Sequence, residues 1–211
     1  ACMVATAVGD GVRAQPEPPA PAASRMTFQV HEIARPGGDR FGQTSAVDVD
    51  RDGDLDFVSG RQGGDVFWFE NAGAGPWRQH WIGSNARTDV AGVAFDVDGD
   101  GWIDQVSGGT WFRNPGNPRE AEGWGRFENG ATSAHDNLAA DMDGDGKVDL
   151  VANLDKAGVF WYRIPDDPTK RWTEHQVLGV TDPQCHGGIA AGDMDGDGDL
   201  AIARVGRWVE N

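Results

Sequence analysis

One acidic nine-residue pattern occurs four times in this chain and constrains the fold more than any other feature. The copies read DVDRDGDLD from Asp48, DVDGDGWID from Asp96, DMDGDGKVD from Asp141 and DMDGDGDLA from Asp193. Successive copies therefore begin 48, 45 and 52 residues apart. Self-similarity at a period of this size indicates structural repeats that stack into one array.

Other elements recur in phase with the acidic pattern. A tryptophan lies 20, 15, 20 and 15 residues after the first aspartate of the successive copies: Trp68, Trp111, Trp161 and Trp208. A strand such as NLAAD precedes the pattern, and strands such as DLVAN, GVFWYR and WTEHQV follow it, separated by glycine- and proline-rich turns. Four short strands per ~40–50 residues are typical of propeller blades. The sequence therefore predicts an all-β fold, a β-propeller with about four blades, each a four-stranded antiparallel sheet.

Composition excludes several classes of protein. The chain has 18 basic and 34 acidic residues, a net charge of −16, and no cluster of lysine and arginine, so we expect no nucleic-acid partner. Nine tryptophans and nine phenylalanines argue against disorder. No apolar run reaches the ~18 residues that a membrane helix needs, so we expect no transmembrane segment.

The first 25 residues differ from the rest. Ala1–Val8 is apolar, a proline- and alanine-rich stretch follows, and Val12-Arg13-Ala14 fits the small-residue cleavage pattern of a secretory signal. We interpret residues 1–25 as a signal-peptide remnant and linker, and residues 26–211 as the propeller. A disordered tail and a lipoprotein anchor at Cys2 are the alternatives. The expected location is secreted, periplasmic or on the cell surface. Cys185 is then most simply a small core residue.

The acidic pattern has the chemistry of a cation site. Side chains at positions 1, 3 and 5 of a tight loop can converge, glycine at position 6 permits the bend, the carbonyl of residue 7 points inward, and a carboxylate at position 9 closes the shell. This supplies the six to eight hard oxygens that Ca²⁺ prefers, whereas Mg²⁺ needs a smaller octahedral cage. Zn²⁺ prefers histidine or cysteine, which the loops do not contain.

Two further observations support a cation. Of the 34 acidic residues, 17 lie in the four copies, and four bound Ca²⁺ would halve the net charge of −16. The pattern is not an EF-hand, because position 12 is Ser59, Ser107, Ala152 and Arg204 rather than glutamate, and its flanks have strand patterns.

The segments DVDGDGWID, DMDGDGKVDLV and GGIAAGDMDGDGDL resemble the calcium-binding FG-GAP, or VCBS, repeats of secreted and surface β-propellers. The resemblance covers residues 26–211 and implies Ca²⁺ as the cofactor. It assigns as ligands Asp48, Asp50, Asp52, Asp54 and Asp56; Asp96, Asp98, Asp100, Trp102 and Asp104; Asp141, Asp143, Asp145, Lys147 and Asp149; and Asp193, Asp195, Asp197 and Asp199. Residues 54, 102, 147 and 199 would ligate through their backbone carbonyls. Ala201 departs from the pattern, since it stands where the closing aspartate belongs.

Propellers that this chain resembles commonly have seven blades. The last repeat lacks a fourth strand, and the segment MTFQVHEI near the N-terminus resembles that strand. If MTFQVHEI supplied the missing outer strand of the last repeat, the repeats would suit a four-bladed ring. They would equally suit part of a seven-bladed ring. We expect a segment of a longer propeller.

Two classes of function are open. The first is a calcium-stabilised recognition module for a polysaccharide or a cell-surface protein. The second is a carbohydrate-active enzyme, a polysaccharide lyase or sugar dehydratase, because the family resembles such enzymes and His135 and His186 precede inner strands of adjacent repeats. The competing interpretation is that each is a structural histidine. His31, His80 and His175 recur in the outer strand, so we expect them to be structural.

The tryptophans divide into candidates for the core and candidates for sugar binding. The four in-phase tryptophans recur at one position of the repeat, so we expect them to pack between blades. Trp81 and Trp102 break the phase and are the candidates for stacking on sugars. No nucleophile elbow, phosphate loop or dinucleotide fingerprint occurs.

Overall fold

The computed structural model describes residues 27–34, 41–88, 90–132, 134–154, 156–180 and 188–211. The chain divides into a unit that ends at His31 and a second unit from Glu32 to Asn211. The described part of the first unit has no regular secondary structure. The described residues do not include the predicted signal-peptide remnant or its boundary at residue 25. They also do not include Cys185 and His186.

Fifteen strands form four antiparallel sheets, and the described residues contain no helix, hence none that could cross a membrane. The first sheet, blade 1, contains β1 Phe41–Val47, β2 Asp56–Arg61, β3 Val66–Glu70 and β4 Arg78–Gly83. Blade 2 contains β5 Gly92–Phe95, β6 Asp104–Ser107, β7 Thr110–Arg113 and β8 Gly125–Glu128.

The other two sheets follow in the same way. Blade 3 contains β9 Ala134–Ala140, β10 Asp149–Leu154, β11 Gly158–Arg163 and β12 Thr173–Leu178. Blade 4 contains three strands in the described residues, β13 Ile189–Gly192, β14 Ala201–Arg204 and β15 Arg207–Val209. Strand order follows the sequence in every sheet. The predicted all-β propeller fold with about four blades is confirmed.

The first strand of each sheet is the inner one. Strand β1 contacts β5, β5 contacts β9, and β9 contacts β13. Each acidic pattern connects this inner strand to the second strand of its sheet, and its ninth residue begins that second strand. The four acidic loops therefore occupy the same place in all four blades.

The apolar core lies between successive sheets. Trp68 packs with Phe112 between blades 1 and 2, and Trp111 packs with Tyr162 between blades 2 and 3. Both tryptophans have 0% exposed surface. Trp161 lies partly buried in the cluster between blades 3 and 4. Successive blades are thus joined by a tryptophan that projects towards the next sheet, as predicted for these three positions.

Trp208 differs from its three counterparts, because 44% of its surface is exposed. It pairs across the strands with Ala203, while the adjacent pair is Ile202 and Val209. Ile202 packs against blade 3, and side chains alternate between the faces of a strand. Trp208 therefore lies on the face directed away from blade 3. The described residues place no sheet on that face, so the expectation that Trp208 packs between blades stays a prediction.

Candidate metal-binding loops

All four acidic loops share one pattern of hydrogen bonds. The aspartate at position 1 accepts a bond from the backbone N–H of the glycine at position 6, with distances of 3.0, 2.7, 2.9 and 3.2 Å in loops 1 to 4: Gly53 to Asp48, Gly101 to Asp96, Gly146 to Asp141 and Gly198 to Asp193. The aspartate at position 5 accepts a bond from the N–H of residue 7 at 3.0, 2.8, 2.9 and 3.2 Å. The loops are therefore closed by their own carboxylates.

Backbone conformation explains the glycine at position 6. Its φ lies in the left-handed region in every loop, at 95°, 87°, 87° and 100°. A side chain is strained there, whereas glycine has no Cβ to clash. Position 4 is also left-handed in all four loops, and in loop 1 it carries Arg51 at φ 62° where the others have glycine.

Each loop brings three carboxylates together, with one oxygen from each within 4.8 Å of the others. The clusters are Asp48, Asp50 and Asp56; Asp96, Asp98 and Asp104; Asp141, Asp143 and Asp145; and Asp193, Asp195 and Asp197. Each of the four clusters could hold a metal ion. The predicted ligands at positions 1 and 3 meet in every loop, the closing aspartate joins them in loops 1 and 2, and the aspartate at position 5 joins them in loops 3 and 4.

The closing aspartate also fastens the loop to the sheet. Asp104 is 1% exposed and accepts bonds from the backbone N–H of Val97 at 3.1 Å and of Asn114 at 2.7 Å. Asp56 makes the equivalent pair of bonds in blade 1. Asp149 instead accepts the indole N–H of Trp161 at 2.8 Å and a backbone N–H at 3.1 Å. Sequence reasoning missed this role, because one donor to each closing aspartate lies just after the third strand, at Asn71, Asn114 and Ile164.

The chemistry of the loops fits a hard cation. Their available donors are carboxylate oxygens, the ligand type that Ca²⁺ prefers. In loop 3 the Oδ1 atom of Asp141 is buried and accepts no hydrogen bond. A buried carboxylate oxygen without a donor is costly unless a cation lies beside it.

Five carboxylates of loops 1 to 3 lie where their ionised form is disfavoured. Burial, reinforced by neighbouring carboxylates, raises the pKa of Asp50 from 3.8 to about 6 and the pKa of Asp104 from 3.8 to about 8. Desolvation also raises the pKa of Asp56, Asp98 and Asp149. A divalent cation would favour the ionised form of each of these groups.

Arginine side chains reach three of the loops. Arg113 and Arg163 pair with loops 2 and 3 of their own blades, and Arg119 of blade 2 pairs with loop 1 of blade 1. Sequence reasoning missed these contacts. The signal that could have found two of them is the arginine two residues after the in-phase tryptophan in blades 2 and 3.

Loop 4 differs from the others in two respects. Ala201, 3% exposed, occupies the closing position, and no described lysine or arginine forms an ion pair with Asp193, Asp195 or Asp197. Partial desolvation and then the neighbouring carboxylates raise the pKa of Asp199.

The candidate histidines fall in different environments. His135 lies on the inner strand β9, and its Nδ1 atom is 3.0 Å from Oδ2 of Asp136. Its predicted companion His186 lies outside the described residues. His80 and His175 stack on Trp68 and Trp161 with ring centroids 4.3 and 4.4 Å apart, while the described His31 is exposed.

The two candidate sugar platforms also differ. Trp81 is 43% exposed on β4, and its indole N–H donates to Asp65 at 3.2 Å. Trp102, at position 7 of loop 2, carries the guanidinium of Arg51 over its ring at 4.2 Å. One face of Trp102 is therefore already covered, whereas Trp81 offers the more open surface.

Comparisons with known proteins agree with the repeat structure. The family model described as an FG-GAP-like repeat matches residues 48–107 and 141–203. A search of curated proteins gives no match. Among solved structures, one similar chain comes from work on recognition of non-reducing terminal N-acetylglucosamine by an Agrocybe aegerita lectin. It is 22% identical with a TM-score of 0.49, and the match covers 74% of this chain and 44% of that one. The present chain thus spans less than half of that solved chain.

Proposed function

We propose a function from the premise that this chain belongs to the FG-GAP-like repeat family, whose model matches more than half of it. The proposed function is that of a calcium-binding β-propeller that recognises a polysaccharide or a cell-surface protein outside the cytoplasm. The observation that carries the calcium part is the fourfold recurrence of one closed aspartate loop at the same place in each blade.

Calcium would act as a structural ion. In each loop it would neutralise carboxylates that otherwise repel one another, and in blades 1 and 2 it would bind next to the aspartate that begins the second strand. Extracellular calcium modules bind at roughly 10⁻⁴–10⁻³ M. At several times the dissociation constant each site adds about 1 kcal/mol of stability. Three loops with a closing aspartate would add about 3 kcal/mol, a large share of an unfolding free energy of about 5–15 kcal/mol.

Thermal unfolding of metal-stripped protein with and without calcium tests this part. We expect a clear rise of the melting temperature in calcium and a smaller rise in magnesium. Asp96→Asn should lose about 1 kcal/mol of the calcium-dependent stabilisation, because it removes one cluster carboxylate. Asp167→Asn is the matched control, since Asp167 lies outside the four acidic loops and their carboxylate clusters. An unchanged melting temperature in calcium would rule out the proposed ion.

The recognition part is supported by an open aromatic surface. Trp81 exposes its indole on the outer strand of blade 1, and indole rings provide large contact areas with sugar rings at low entropic cost. Binding to immobilised polysaccharides, acidic and neutral, compared between wild type and Trp81→Ala, tests this surface. Equal binding of the two proteins would exclude Trp81 as the platform.

The second candidate is a carbohydrate lyase or dehydratase. It is favoured by the pairing of His135 with Asp136, whose Oδ2 atom also accepts a bond from Asn153 at 3.1 Å. A carboxylate at Nδ1 orients an imidazole as a general base. Incubation with polyuronates, with release of unsaturated sugar as the readout, tests this candidate. Activity that persists in His135→Gln would exclude His135 as the base.

A further inference from the structure

We infer that Arg113 and Arg163 compete with the metal ion for the carboxylates of loops 2 and 3, and thereby weaken the calcium affinity of these loops. The inference rests on the proposed function, because it concerns residues that would face the calcium. It assigns to each of these arginines a role as a built-in cation that a calcium ion must displace.

The contacts of the two arginines are the same in both blades. In loop 2 the Nε atom of Arg113 lies 2.6 Å from Oδ2 of Asp98, and Nη2 lies 3.5 Å from Oδ2 of Asp100. In loop 3 the Nε atom of Arg163 lies 2.9 Å from Oδ2 of Asp143, and Nη2 lies 3.0 Å from Oδ2 of the aspartate at position 5. Each guanidinium therefore bridges the carboxylates at positions 3 and 5.

The bridged oxygens are those that accept no hydrogen bond from the loop backbone. Oδ1 of Asp98 accepts the backbone N–H of Asp100 at 3.2 Å, and Oδ1 of Asp100 accepts the backbone N–H of Trp102 at 2.8 Å. The Oδ2 atoms of both residues bond to Arg113, and of the two residues Asp98 belongs to the carboxylate cluster of loop 2. A calcium ion ligated by Oδ2 of Asp98 would place two positive charges beside the guanidinium, so the two cations would repel each other and compete for that oxygen.

Loop 1 receives its arginine from the next blade. Glu70 occupies the position equivalent to Arg113 in the repeat, and it accepts a bond from Nε of Arg119 at 3.0 Å. The Nη2 atom of Arg119 lies 2.8 Å from Asp50 and 2.6 Å from Asp52. A guanidinium therefore contacts positions 3 and 5 of loop 1 as well, although the residue equivalent to Arg113 in this blade is a glutamate. The same contact made by an arginine from a different part of the repeat indicates that the negative charge of the loop attracts it.

Loop 4 provides the contrast. Glu210 occupies the equivalent position there, and no described arginine or lysine pairs with the loop. Because loop 4 also lacks the closing aspartate, it does not isolate the effect of the arginine. Loops 2 and 3 do, since each has a closing aspartate and a local arginine.

Arg113→Gln and Arg163→Gln test the competition. Glutamine removes the positive charge and keeps part of the aliphatic stem. We expect each variant to bind calcium about tenfold more tightly at one site, which corresponds to about 1.4 kcal/mol. The backbone N–H resonances of Gly101 and Gly146 report on loops 2 and 3 separately, because each donates to the first aspartate of its loop. Each variant should shift the calcium titration of its own glycine only.

A control variant and a measurement of stability without metal complete the test. Arg126→Gln removes an arginine of blade 2 that pairs with Glu128 and not with a loop, so calcium affinity should stay unchanged. In metal-free buffer Arg113→Gln should lower the melting temperature, because the repelling carboxylates lose their counter-charge. A tighter calcium site together with a less stable metal-free protein is the expected pair of results.

The outcomes separate the inference from the proposed function. If wild type binds calcium and the two glutamine variants bind it equally or more weakly, the arginines support the ligands and the inference is overturned while the proposed function stands. If neither wild type nor variants bind calcium, the proposed function fails and the inference with it. Calcium binding that appears only in the glutamine variants would support the competition.

Discussion

Asp104 makes the stability of the metal-free protein depend on pH with an unusual sign. Its carboxyl group is buried at the closing position of loop 2, and burial raises its pKa from 3.8 to about 8 against two backbone hydrogen bonds that lower it. Between about pH 5 and pH 7 this group is therefore protonated in the folded protein and ionised in the unfolded chain. The folded state binds the additional proton, so acidification should stabilise it.

The magnitude follows from linkage. One group that is protonated only in the folded state changes the unfolding free energy by about 1.4 kcal/mol per pH unit. From pH 7 to pH 5 the metal-free protein should gain up to about 3 kcal/mol from Asp104, which is fully present below pH 4 and lost as pH rises through 8. For a chain of this length, 1 kcal/mol shifts the melting temperature by about 2–4 °C. The expected rise is about 5–10 °C.

The assay is thermal unfolding across this pH range in metal-stripped buffer and in saturating calcium. Calcium should remove the acid stabilisation, because a bound cation keeps the carboxylate ionised and protons then compete with it. Asp104→Asn should flatten the metal-free slope by about 1.4 kcal/mol per pH unit relative to wild type. The slope is the readout, since asparagine also loses one acceptor for a backbone N–H and lowers stability at every pH.

Asp167→Asn is the matched control. Hydrogen bonds from Thr169 lower the pKa of Asp167, so it is ionised in both states over this range and its replacement should leave the slope unchanged. The reasoning is refuted if wild-type and Asp104→Asn proteins have the same metal-free slope. Other loop carboxylates with raised pKa add to both slopes and cancel in this difference.

Three further perturbations test other parts of the structure. Ala201→Asp should add about 1 kcal/mol of stability in millimolar calcium and none in metal-free buffer, as calorimetric titration and melting would establish; four equivalent wild-type sites would contradict it. Gly146→Ala should lower the unfolding free energy by about 1–2 kcal/mol in denaturant unfolding, because the φ of Gly146 is 87°. Gly192→Ala should be neutral, because Gly192 has equal space around it and no left-handed φ. Trp111→Ala should cost about 3–5 kcal/mol and Trp208→Ala less than about 1 kcal/mol; equal losses would mean that Trp208 is covered in solution.

The repeat was predictable from sequence because its signals are local. The acidic pattern, the strand that follows it and the tryptophan recur together, and each is read within a few residues of the chain. Glycine at position 6 marks the bend, and the structure places it at a left-handed φ in all four loops. Convergence of the aspartates follows from the same short-range geometry, since positions 1 and 3 of every loop lie in one cluster.

The remaining features depend on partners that are distant in sequence. Arg119 pairs with Asp52, 67 residues earlier in the chain, and nothing near either residue indicates the contact. The burial of Trp208 depends on whether a sheet lies against its face, and the in-phase position that buries Trp68 and Trp111 does not determine this. Repetition in the sequence therefore predicted the position of each side chain in its blade, while its environment required the neighbouring blade.

Hydrogen bonds between neighbouring blades indicate how a metal in one loop would affect the stack. Asn114, which follows the third strand of blade 2, donates to the carbonyl oxygen of Val49 in loop 1 at 3.1 Å. Asn211 occupies the same position in blade 4 and donates to the carbonyl of Met142 in loop 3 at 2.7 Å. In both cases the accepting residue stands at position 2, between the first two aspartates of the cluster. An ion that fixes this segment would also fix the acceptor for the next blade, so calcium in loops 1 and 3 would strengthen contacts between sheets as well as the loops themselves.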